Sequence, residues 1–382
     1  MKYLSKILFN TLLAAILLTA CEKADDLPFY ENGTVPAVTA SASTIAPVPA
    51  DSLAAGLTLS WTNPSYAADS ATYKYVVEID QAGNGFANAA QRVITGSLST
   101  TYLNKELNTI LLDKGLEFGT AYDMEVRVIS SYSNNNERLI SNVLPIKMTP
   151  YKIPPRVELP SSGKLFLVGS ATGSGWNNPV QTPEQEFTRL NETTFAGVFN
   201  LKGGNEYLVL PVNGLWDQKY SVANKNLAGL AEGGDFGFGL NDNIPGPAAD
   251  GIYLIVLDFQ AGKFVVTPFK DAELPSSLFI VGNATAGDWS NPVPVPSQQF
   301  TRLNSAEFEI TVDLTGDREY LLLPENGNWN KKYSVADNSV AGLREGGEMG
   351  YNLPANIPGP TTTGTYKINV NFATHRYKVT RL

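Results

Sequence analysis

The stretch LFLVGSATGSGWNNPV, residues 165–180, returns as LFIVGNATAGDWSNPV at residues 278–293, with 10 of 16 positions identical. The match runs through residues 165–267 and 278–380, where 52 of 103 positions are identical at a constant offset of 113. A repeat of this length is large enough for its own hydrophobic core, so it indicates tandem domains rather than a solenoid. The duplication also lets two copies of one module be compared within a single chain.

Composition and patterning indicate an all-β protein. The chain has 382 residues, room for about three domains, and its 33 glycines and 24 prolines punctuate short β-branched and aromatic runs. Such punctuation is typical of antiparallel strands joined by turns. Each repeat is therefore predicted to be a small β-sandwich, with first-copy strands at Leu165–Val168, Thr194–Leu201, Glu206–Leu210, Ile252–Phe259 and Lys263–Thr267.

A separate sandwich is predicted before the repeats, over residues 34–150. Leu57–Trp61, Tyr73–Ile79 and Tyr122–Ile129 alternate with period two, the pattern of strands with one buried face, and Asn104–Leu112 reads as a helix. Trp61 ends an apolar strand, so we predict it in the core. This tryptophan and the tyrosine that follows a Gly-Thr-Ala turn resemble the fibronectin type III and immunoglobulin-like sandwiches.

The first twenty residues are predicted to be a lipoprotein signal peptide. Lys2 and Lys6 precede a run of twelve mainly apolar residues, Ile7–Leu18, and Leu-Thr-Ala then leads to Cys21. Twelve residues are too few to cross a membrane as a helix. Small residues before a cysteine resemble a bacterial lipobox, which implies that Cys21 carries the lipid anchor. An ordinary signal peptide followed by an unrelated cysteine is the alternative.

Charge and cysteine usage narrow the function classes. Losing Lys2 and Lys6 with the leader takes the net charge from −9 to −11, and no Lys/Arg cluster is present, so nucleic acid is excluded as a partner. Cys21 is the only cysteine, so no disulfide or thiolate metal site is expected. The acidic tether at residues 21–33 resembles the surface-export signal of Bacteroidetes lipoproteins, which implies an outward-facing location.

Proline-rich connectors are predicted to separate the domains. Tyr151–Ser162 leads into the first repeat domain, residues 160–270, and Leu274–Ser277 leads into the second, residues 274–382. Proline restricts φ and favours extended backbone, so semi-rigid spacing is expected. In each copy, a long segment rich in Gly and Asn follows the second tryptophan and ends with Asn-Ile-Pro-Gly-Pro. Irregular segments of this length are usually functional or disordered.

Two tryptophans, 40 residues apart, recur in both copies: Trp176 and Trp216 in the first, Trp289 and Trp329 in the second. Asn-Gly and Asn-Pro turn dipeptides flank them, which places these indoles on loops, where binding residues concentrate. Packing under a long loop is the alternative. A flat indole desolvates the C–H face of a pyranose, and amides and cations can bond its hydroxyl rim. The expected polar partners are Lys219, Asn178, Asn213, Lys332, Asn291 and Asn326; Arg189 and Arg302 also recur, in a segment that can simply pack.

Together these motifs resemble the SusE/SusF family of outer-membrane glycan-binding lipoproteins. The resemblance rests on the lipoprotein signal, the immunoglobulin-like domain, the Gly-Trp or Asp-Trp loop, Trp-Asp-Gln-Lys-Tyr or Trp-Asn-Lys-Lys-Tyr, and Asn-Ile-Pro-Gly-Pro. It implies starch-like oligosaccharide stacked on the four tryptophans and hydrogen-bonded by Lys219 and Lys332, without cleavage. It also implies partnership with a TonB-dependent transporter in glycan uptake. Leu230-Ala231 faces Leu343-Arg344 in the other copy, so unequal affinities are expected.

A glycoside hydrolase is the first competing hypothesis, and it needs two carboxylates flanking one bond. Asp217 beside Trp216 is replaced by Asn330 in the second copy. Glu206/Glu319 and Glu232/Glu345 recur, but they are predicted at a strand end and a turn. The only histidine, His375, stands where the first copy has Gly262. We therefore expect no enzyme, no cofactor and no metal; a structural adhesin that binds protein partners remains the second alternative.

Overall fold

The computed structural model describes residues 32–271 and 273–382. The predicted leader, Cys21 and most of the acidic tether lie outside these residues. The described part of the chain falls into two compact units that divide after Pro154. The first unit is the N-terminal domain, and the second contains both repeats.

The N-terminal domain is a sandwich of two sheets. One sheet has the strand order β1-β3-β6, and the other has the order β2-β9-β7-β4-β5, with β8 also paired to β7. All pairs are antiparallel except β2 with β9. The elements are β1 (Val38–Ala40), β2 (Thr44–Ile45), β3 (Ala55–Trp61), β4 (Lys74–Gln81), β5 (Ala90–Thr95), β6 (Ser99–Leu103), α1 (Asn104–Asp113), β7 (Tyr122–Ser131), β8 (Leu139–Ile140) and β9 (Leu144–Met148).

The core of this domain confirms the prediction for Trp61. Its side chain is 5% exposed and lies against Tyr75, with ring centroids 5.2 Å apart. Tyr122, the tyrosine after the Gly-Thr-Ala turn, bonds back to the chain as in a tyrosine corner: its hydroxyl accepts a hydrogen bond of 3.1 Å from the Glu117 amide five residues upstream. The N-terminal sandwich therefore has the packing that its alternating strands predict.

The first repeat is a second sandwich, made of two five-stranded sheets. The sheet with the shorter strands, called the smaller sheet, has the order β10-β13-β14-β16, with β17 paired to β13. The sheet with the longer strands, called the larger sheet, has the order β11-β12-β18-β19-β15. Its strands are β10 (Phe166–Val168), β11 (Thr188–Arg189), β12 (Thr194–Leu201), β13 (Glu206–Leu210), β14 (Tyr220–Ser221), β15 (Gly233–Asp235), β16 (Gly237–Phe238), β17 (Ile244–Pro245), β18 (Gly251–Asp258) and β19 (Lys263–Pro268).

The second repeat has the same topology, with sheet orders β20-β23-β24-β26, plus β27 on β23, and β21-β22-β28-β29-β25. The predicted fold class, an all-β chain of an immunoglobulin-like sandwich and two tandem sandwiches, is confirmed. The strands are β20 (Phe279–Val281), β21 (Thr301–Arg302), β22 (Glu307–Leu314), β23 (Glu319–Leu323), β24 (Tyr333–Ser334), β25 (Gly346–Glu348), β26 (Gly350–Tyr351), β27 (Ile357–Pro358), β28 (Gly364–Asn371) and β29 (Arg376–Arg381).

The two repeats pack directly on each other, which the sequence did not predict. Val198, on the outer face of β12, is buried in the core cluster of the second repeat, and Ile252 and Leu254 from β18 pack against the same cluster. The Ser305 amide donates to the Glu186 carbonyl at 2.9 Å across this junction. The larger sheet of the first repeat is thus covered on both faces.

The equivalent face of the second repeat is polar. The positions of Val198, Ile252 and Leu254 are taken there by Thr311, Thr365 and Lys367. Lys367 forms an ion pair with Glu309 at 3.3 Å, and Asn369 donates to the same carboxylate at 2.9 Å. The differences between the copies at these positions therefore follow from which face is covered by protein.

Candidate functional site

The candidate site of each repeat lies on the outer face of its smaller sheet. After β10 the chain turns back along that strand, and the Leu167 amide bonds to the Gln185 carbonyl at 2.8 Å. Val180 from this returning segment packs on the outward side chains of β10 and β13, Phe166, Val168, Leu208 and Leu210, to form a small second core. The loop that carries Trp176 is thereby fixed on the sheet.

A tight glycine contact anchors the start of this loop. Gly169 follows β10 directly and has a φ of +153°. A Cβ built on it would lie 2.3 Å from the Glu206 carbonyl oxygen and 2.4 Å from the Cα of Tyr207. Gly282 has the same geometry in the second copy, with distances of 2.3 and 2.4 Å to Glu319 and Tyr320. Only a residue without a side chain fits this approach of loop and strand.

The predicted tryptophans come together as pairs in both repeats, and three of the four are exposed. The rings of Trp176 and Trp216 have centroids 6.4 Å apart and planes inclined by 44°. Trp289 and Trp329 are 6.5 Å apart and inclined by 42°. Trp176 is 39% exposed, and Trp216 and Trp329 are each 45% exposed, whereas Trp289 is half-buried because it rests on the second small core. Each pair, named here a platform, offers two apolar planes set at an angle.

The four predicted asparagines hold the two tryptophan loops together. Asn213 accepts from the Val180 amide at 2.7 Å and donates to the Val180 carbonyl at 3.2 Å. Asn178 accepts from the Gly214 amide at 2.7 Å. Asn326 makes the same two bonds with Val293, and Asn291 the same bond with Gly327, as the first copy. Asn213 and Asn326 thus use both the oxygen and the nitrogen of their amides on backbone. Asn178 and Asn291 use only the oxygen, and the Nδ2 atom of each is buried without a hydrogen-bond partner among the described residues. We assign all four a positioning role on the strength of their backbone bonds.

The predicted lysines have uncommitted side chains. Within residues 32–271 and 273–382 we find no hydrogen bond or ion pair made by the ammonium group of Lys219 or Lys332. Their main chains are fixed instead: the Gly239 amide bonds to the Lys219 carbonyl at 2.8 Å, and the Lys332 amide bonds to Asn352 at 3.1 Å. A fixed main chain with a free ammonium suits a group that bonds a ligand.

The recurring arginines instead bind their own loops. Arg189 donates to the carbonyls of Asn191 and Glu192, at 3.1 and 2.7 Å. Arg302 donates to the carbonyls of Asn304 and Ser305, at 3.1 and 3.0 Å. This placement agrees with the packing alternative for the Phe-Thr-Arg-Leu-Asn segment.

The recurring glutamates anchor the long loop of each repeat. Glu206 accepts from Lys225 at 2.7 Å and from Asn243 at 2.8 Å. The Lys225 bond, followed by the Asn243 bond, holds the pKa of Glu206 below its usual value. Glu319 accepts from Asn338 and Asn356, at 3.2 and 3.0 Å. These carboxylates are therefore used in holding the loop.

His375 lies away from the platforms, beside a larger cavity of the second repeat. Its ring stacks on Phe269, with centroids 5.2 Å apart, and its Nε2 is 3.2 Å from an Asp271 oxygen. The cavity has a volume of about 810 Å³ and is lined by His375, Met349 and Tyr351 among others, but by none of the predicted site residues. In the first copy, Arg156 and Val157 pack on the equivalent Gly262.

Two aromatic residues of the repeats with exposed surface were not predicted. Phe238 is 45% exposed, and its counterpart Tyr351 is half-exposed; each lines a small pocket beside the second tryptophan loop. The exposed aromatic at equivalent positions of β16 and β26 is the signal that a comparison of the copies could have found.

Two features are absent from the described ranges, residues 32–271 and 273–382. Within them, no cluster of three or more His, Cys, Asp or Glu side chains could hold a metal ion. No helix formed by the same residues is long and apolar enough to span a membrane.

Comparison with known proteins adds three findings. Among curated proteins, none matches this sequence significantly. The crystal structure of SusF from Bacteroides thetaiotaomicron superposes with a TM-score of 0.35 and 14% identity, over 91% of this chain and 76% of that one; at this score the superposition supports no argument. Residues 23–129 match the family model for the SusE outer membrane protein. The resemblance to the SusE family that the sequence predicted is thus confirmed, through a match that lies in the N-terminal part of the chain.

Proposed function

We propose that this chain is a non-catalytic surface protein that binds polysaccharide through the two tryptophan platforms. The repeats, residues 160–270 and 274–382, carry the binding sites, and the N-terminal domain, residues 34–150, acts as a spacer. A lipid on Cys21 anchors the chain to the outer membrane, where it assists a glycan-uptake system with a TonB-dependent transporter. A starch-like α-glucan is the favoured ligand.

The observation that carries this proposal is the agreement between the two copies. Both pairs have ring separations of 6.4 to 6.5 Å and inclinations of 42 to 44°, although about half of the surrounding residues differ. Side chains that served only to pack a loop would be buried, whereas Trp176, Trp216 and Trp329 are exposed and only Trp289 is half-buried. Two inclined planes match the curvature of a helical glucan chain, whose successive rings also turn relative to each other.

The energetics are sufficient for a weak site on each platform. Covering about 100 Å² of apolar surface by a sugar ring yields roughly 2 to 3 kcal/mol before ordering costs. The loops that carry the tilted indoles are held by hydrogen bonds that the Gly214 and Val180 amides donate to Asn178 and Asn213, so little of this gain is lost in fixing the loops. Lys219 and Lys332 supply donors for sugar hydroxyls.

The placement of the carboxylates supports binding rather than hydrolysis. A glycosidase needs an acid and a second carboxylate on opposite sides of one bond. Glu206 and Glu319 are bonded to loop residues. Asp217, the acidic side chain next to Trp216, has Asn330 as its counterpart, so a reaction that depended on it would be confined to one copy.

Affinity electrophoresis tests the proposal. The chain is run through gels that contain soluble starch, pullulan, xylan or levan, beside the double variant Trp216→Ala/Trp329→Ala. Leu227→Ala/Val340→Ala is a matched control, because these exposed apolar side chains occupy equivalent positions outside the two tryptophan loops. We expect retardation on starch that the tryptophan variant loses and the control keeps. Absence of retardation on every glycan would remove the proposal and favour an adhesin that binds protein.

Two sites on one chain should also bind a polymer with avidity, because the second contact is intramolecular. Removing either platform should therefore weaken polymer binding more than it weakens binding of a short oligosaccharide to the intact platform. Equal losses for the polymer and the short oligosaccharide would show that the platforms act separately.

A further inference from the structure

The N-terminal domain carries an open edge strand, β5 (Ala90–Thr95). It is the last strand of the sheet β2-β9-β7-β4-β5 and pairs only with β4. With six residues it is the longest edge strand of the described residues, because the other edge strands there have two to five. An edge strand presents unpaired N–H and C=O groups to any strand that comes alongside.

The ladder between β4 and β5 shows which backbone groups face this edge. The Gly96 amide bonds to the Tyr73 carbonyl at 2.9 Å, and the register places these two residues opposite each other. Hydrogen-bonded pairs alternate along an antiparallel ladder. Every second residue of β5 therefore bonds to β4, and the amides and carbonyls of the remaining three point outward: Gln91, Val93 and Thr95. No hydrogen bond to these outward groups is present within residues 32–271 and 273–382.

The neighbouring edge in the other sheet is capped, whereas this one is not. Arg92 donates to the carbonyl of Thr101 in β6 at 3.0 Å. Its guanidinium also pairs with Glu106 at 2.9 Å and lies 3.6 Å from the centre of the Tyr102 ring. Arg92 is the only charged residue of β5, and these contacts hold it on the core side of the strand. The outer side of β5 thus lacks the charge or proline that usually blunts an edge.

An apolar row leads across the sheet to this edge. Val93 lies opposite Val76, Val76 opposite Ile129, and Ile129 opposite Ile140. Val77, the next residue after Val76, lies in the domain core, so the row is on the outer face of the sheet. Both ends of the row are exposed, Val93 to 57% and Ile140 to 49%. A further strand beside β5 would extend the row if it placed an apolar residue opposite Val93.

We propose that β5 pairs antiparallel with β5 of a second copy of this chain, about a twofold axis at Val93. The outward groups are symmetric about this residue, so Gln91 faces the partner's Thr95 and Val93 faces its own equivalent. Each of these opposing pairs exchanges two backbone hydrogen bonds. The pairing closes both open edges and joins the two apolar rows into one.

A second copy is the occupant because β5 meets each requirement of the edge. The added strand must have free backbone groups at every second residue, no charge on its outer side and an apolar residue at its centre. The carboxylate beside the row causes no repulsion, because Glu78 accepts from Arg127 at 2.6 Å and from Gln91 at 2.8 Å. Two paired strands bury less than the roughly 1,200 Å² of a stable interface, so the association is weak and reversible. The inference is independent of glycan binding.

Light scattering over a range of concentrations tests the pairing. The chain is used without the predicted leader and Cys21, as residues 22–382, which contain no cysteine. We expect the mass to rise from one chain to two as the concentration increases. Val93→Lys places like charges opposite each other on the axis and should weaken the association about tenfold or more. Ile140→Lys makes the same change at the other exposed end of the row and should leave the association unchanged.

A cysteine at each end of the row gives a second readout. Residues of a hydrogen-bonded antiparallel pair have Cα atoms about 5.5 Å apart, within disulfide range, so Val93→Cys should give a covalent dimer under mild oxidation. In the same dimer, the two cysteines of Ile140→Cys would be about seven strand spacings apart, roughly 34 Å, and should not cross-link.

Three results would overturn the pairing. The first is the mass of a single chain at every concentration, and the second is equal cross-linking of the two cysteine variants. The third is unchanged association of Val93→Lys, because the copies would then meet through another surface.

Discussion

Replacing Asn213 by alanine separates a positioning residue from a ligand contact. The side chain makes two hydrogen bonds to Val180, of 2.7 and 3.2 Å, across 33 residues of sequence. Each such bond contributes about 0.5 to 1.5 kcal/mol net, so Asn213→Ala should lower the free energy of unfolding by about 1 to 3 kcal/mol. Asn213→Asp keeps an acceptor for the Val180 amide but loses the donor to the Val180 carbonyl. Its free energy of unfolding should therefore lie between those of the unaltered chain and Asn213→Ala.

Asn213→Ala should also lower the glycan affinity, because it disturbs the geometry of the platform. Because Asn213 ties the loop of Trp216 to that of Trp176, its loss should weaken the exciton coupling between the indoles in circular dichroism. The measurement uses a Trp289→Ala/Trp329→Ala background, so that only the first pair contributes a coupled signal. Asn326→Ala is the matched change in the second copy and should cost a similar amount.

The result that refutes this reasoning is specific. If Asn213→Ala lowers glycan affinity but leaves both the indole coupling and the unfolding free energy unchanged, Asn213 contacts the glycan directly, as the sequence alone suggests. A parallel loss of all three quantities supports the positioning role.

Three further predictions concern the scaffold. Leu254→Lys, which copies Lys367 of the second repeat, should split the thermal unfolding of the repeats into two transitions in calorimetry, because a lysine cannot be buried at their junction without cost; Lys367→Leu, on the exposed face, should leave a single transition. Glu206→Gln should lower the free energy of unfolding above about pH 4.3, the usual unfolded pKa. The difference in this free energy between variant and unaltered chain should vanish as the pH falls through the lower folded pKa, because a carboxylate with a depressed pKa stabilises only when ionised. A pH-independent difference in chemical denaturation would contradict this. Gly169→Ala should cost at least about 2 kcal/mol, since its Cβ would meet the Glu206 carbonyl at 2.3 Å, and an unchanged melting temperature would show that the loop can move aside.

The sequence predicted the sandwiches well because both copies carry short β-branched and aromatic runs between Gly and Pro turns. Thr194–Leu201 and Glu206–Leu210 match β12 and β13 residue for residue, and the exposed position of the platform tryptophans followed from the Asn-Gly and Asn-Pro turns. Trp61 was correctly predicted to be buried, because it lies within an alternating strand, where one face must be buried.

The sequence also contains a signal that the outer face of the smaller sheet is covered. Leu165–Val168 and Tyr207–Leu210 are continuously apolar rather than alternating, and such runs indicate strands buried on both faces. They predict that something covers the smaller sheet, and the loop of Trp176 is what covers it. The bonding partners of the asparagines could not be predicted, because pattern alone does not show which loop lies opposite which.

The junction of the repeats could have been read from the differences between copies. Val198, Ile252 and Leu254 are apolar where Thr311, Thr365 and Lys367 are polar. Local patterning treats such positions as solvent-facing, because the partner surface lies more than a hundred residues away along the chain.

The polar face of the second repeat sets a limit on assembly. The junction joins two similar modules head to tail, and a head-to-tail contact between identical units continues into an open fibre unless one end differs. Glu309, Thr311 and Lys367 supply that difference, because they place an ion pair and hydroxyls where a further module would need an apolar surface. Without these substitutions, the duplication that doubled the tryptophan platforms would also have left an apolar sheet face open to a further copy.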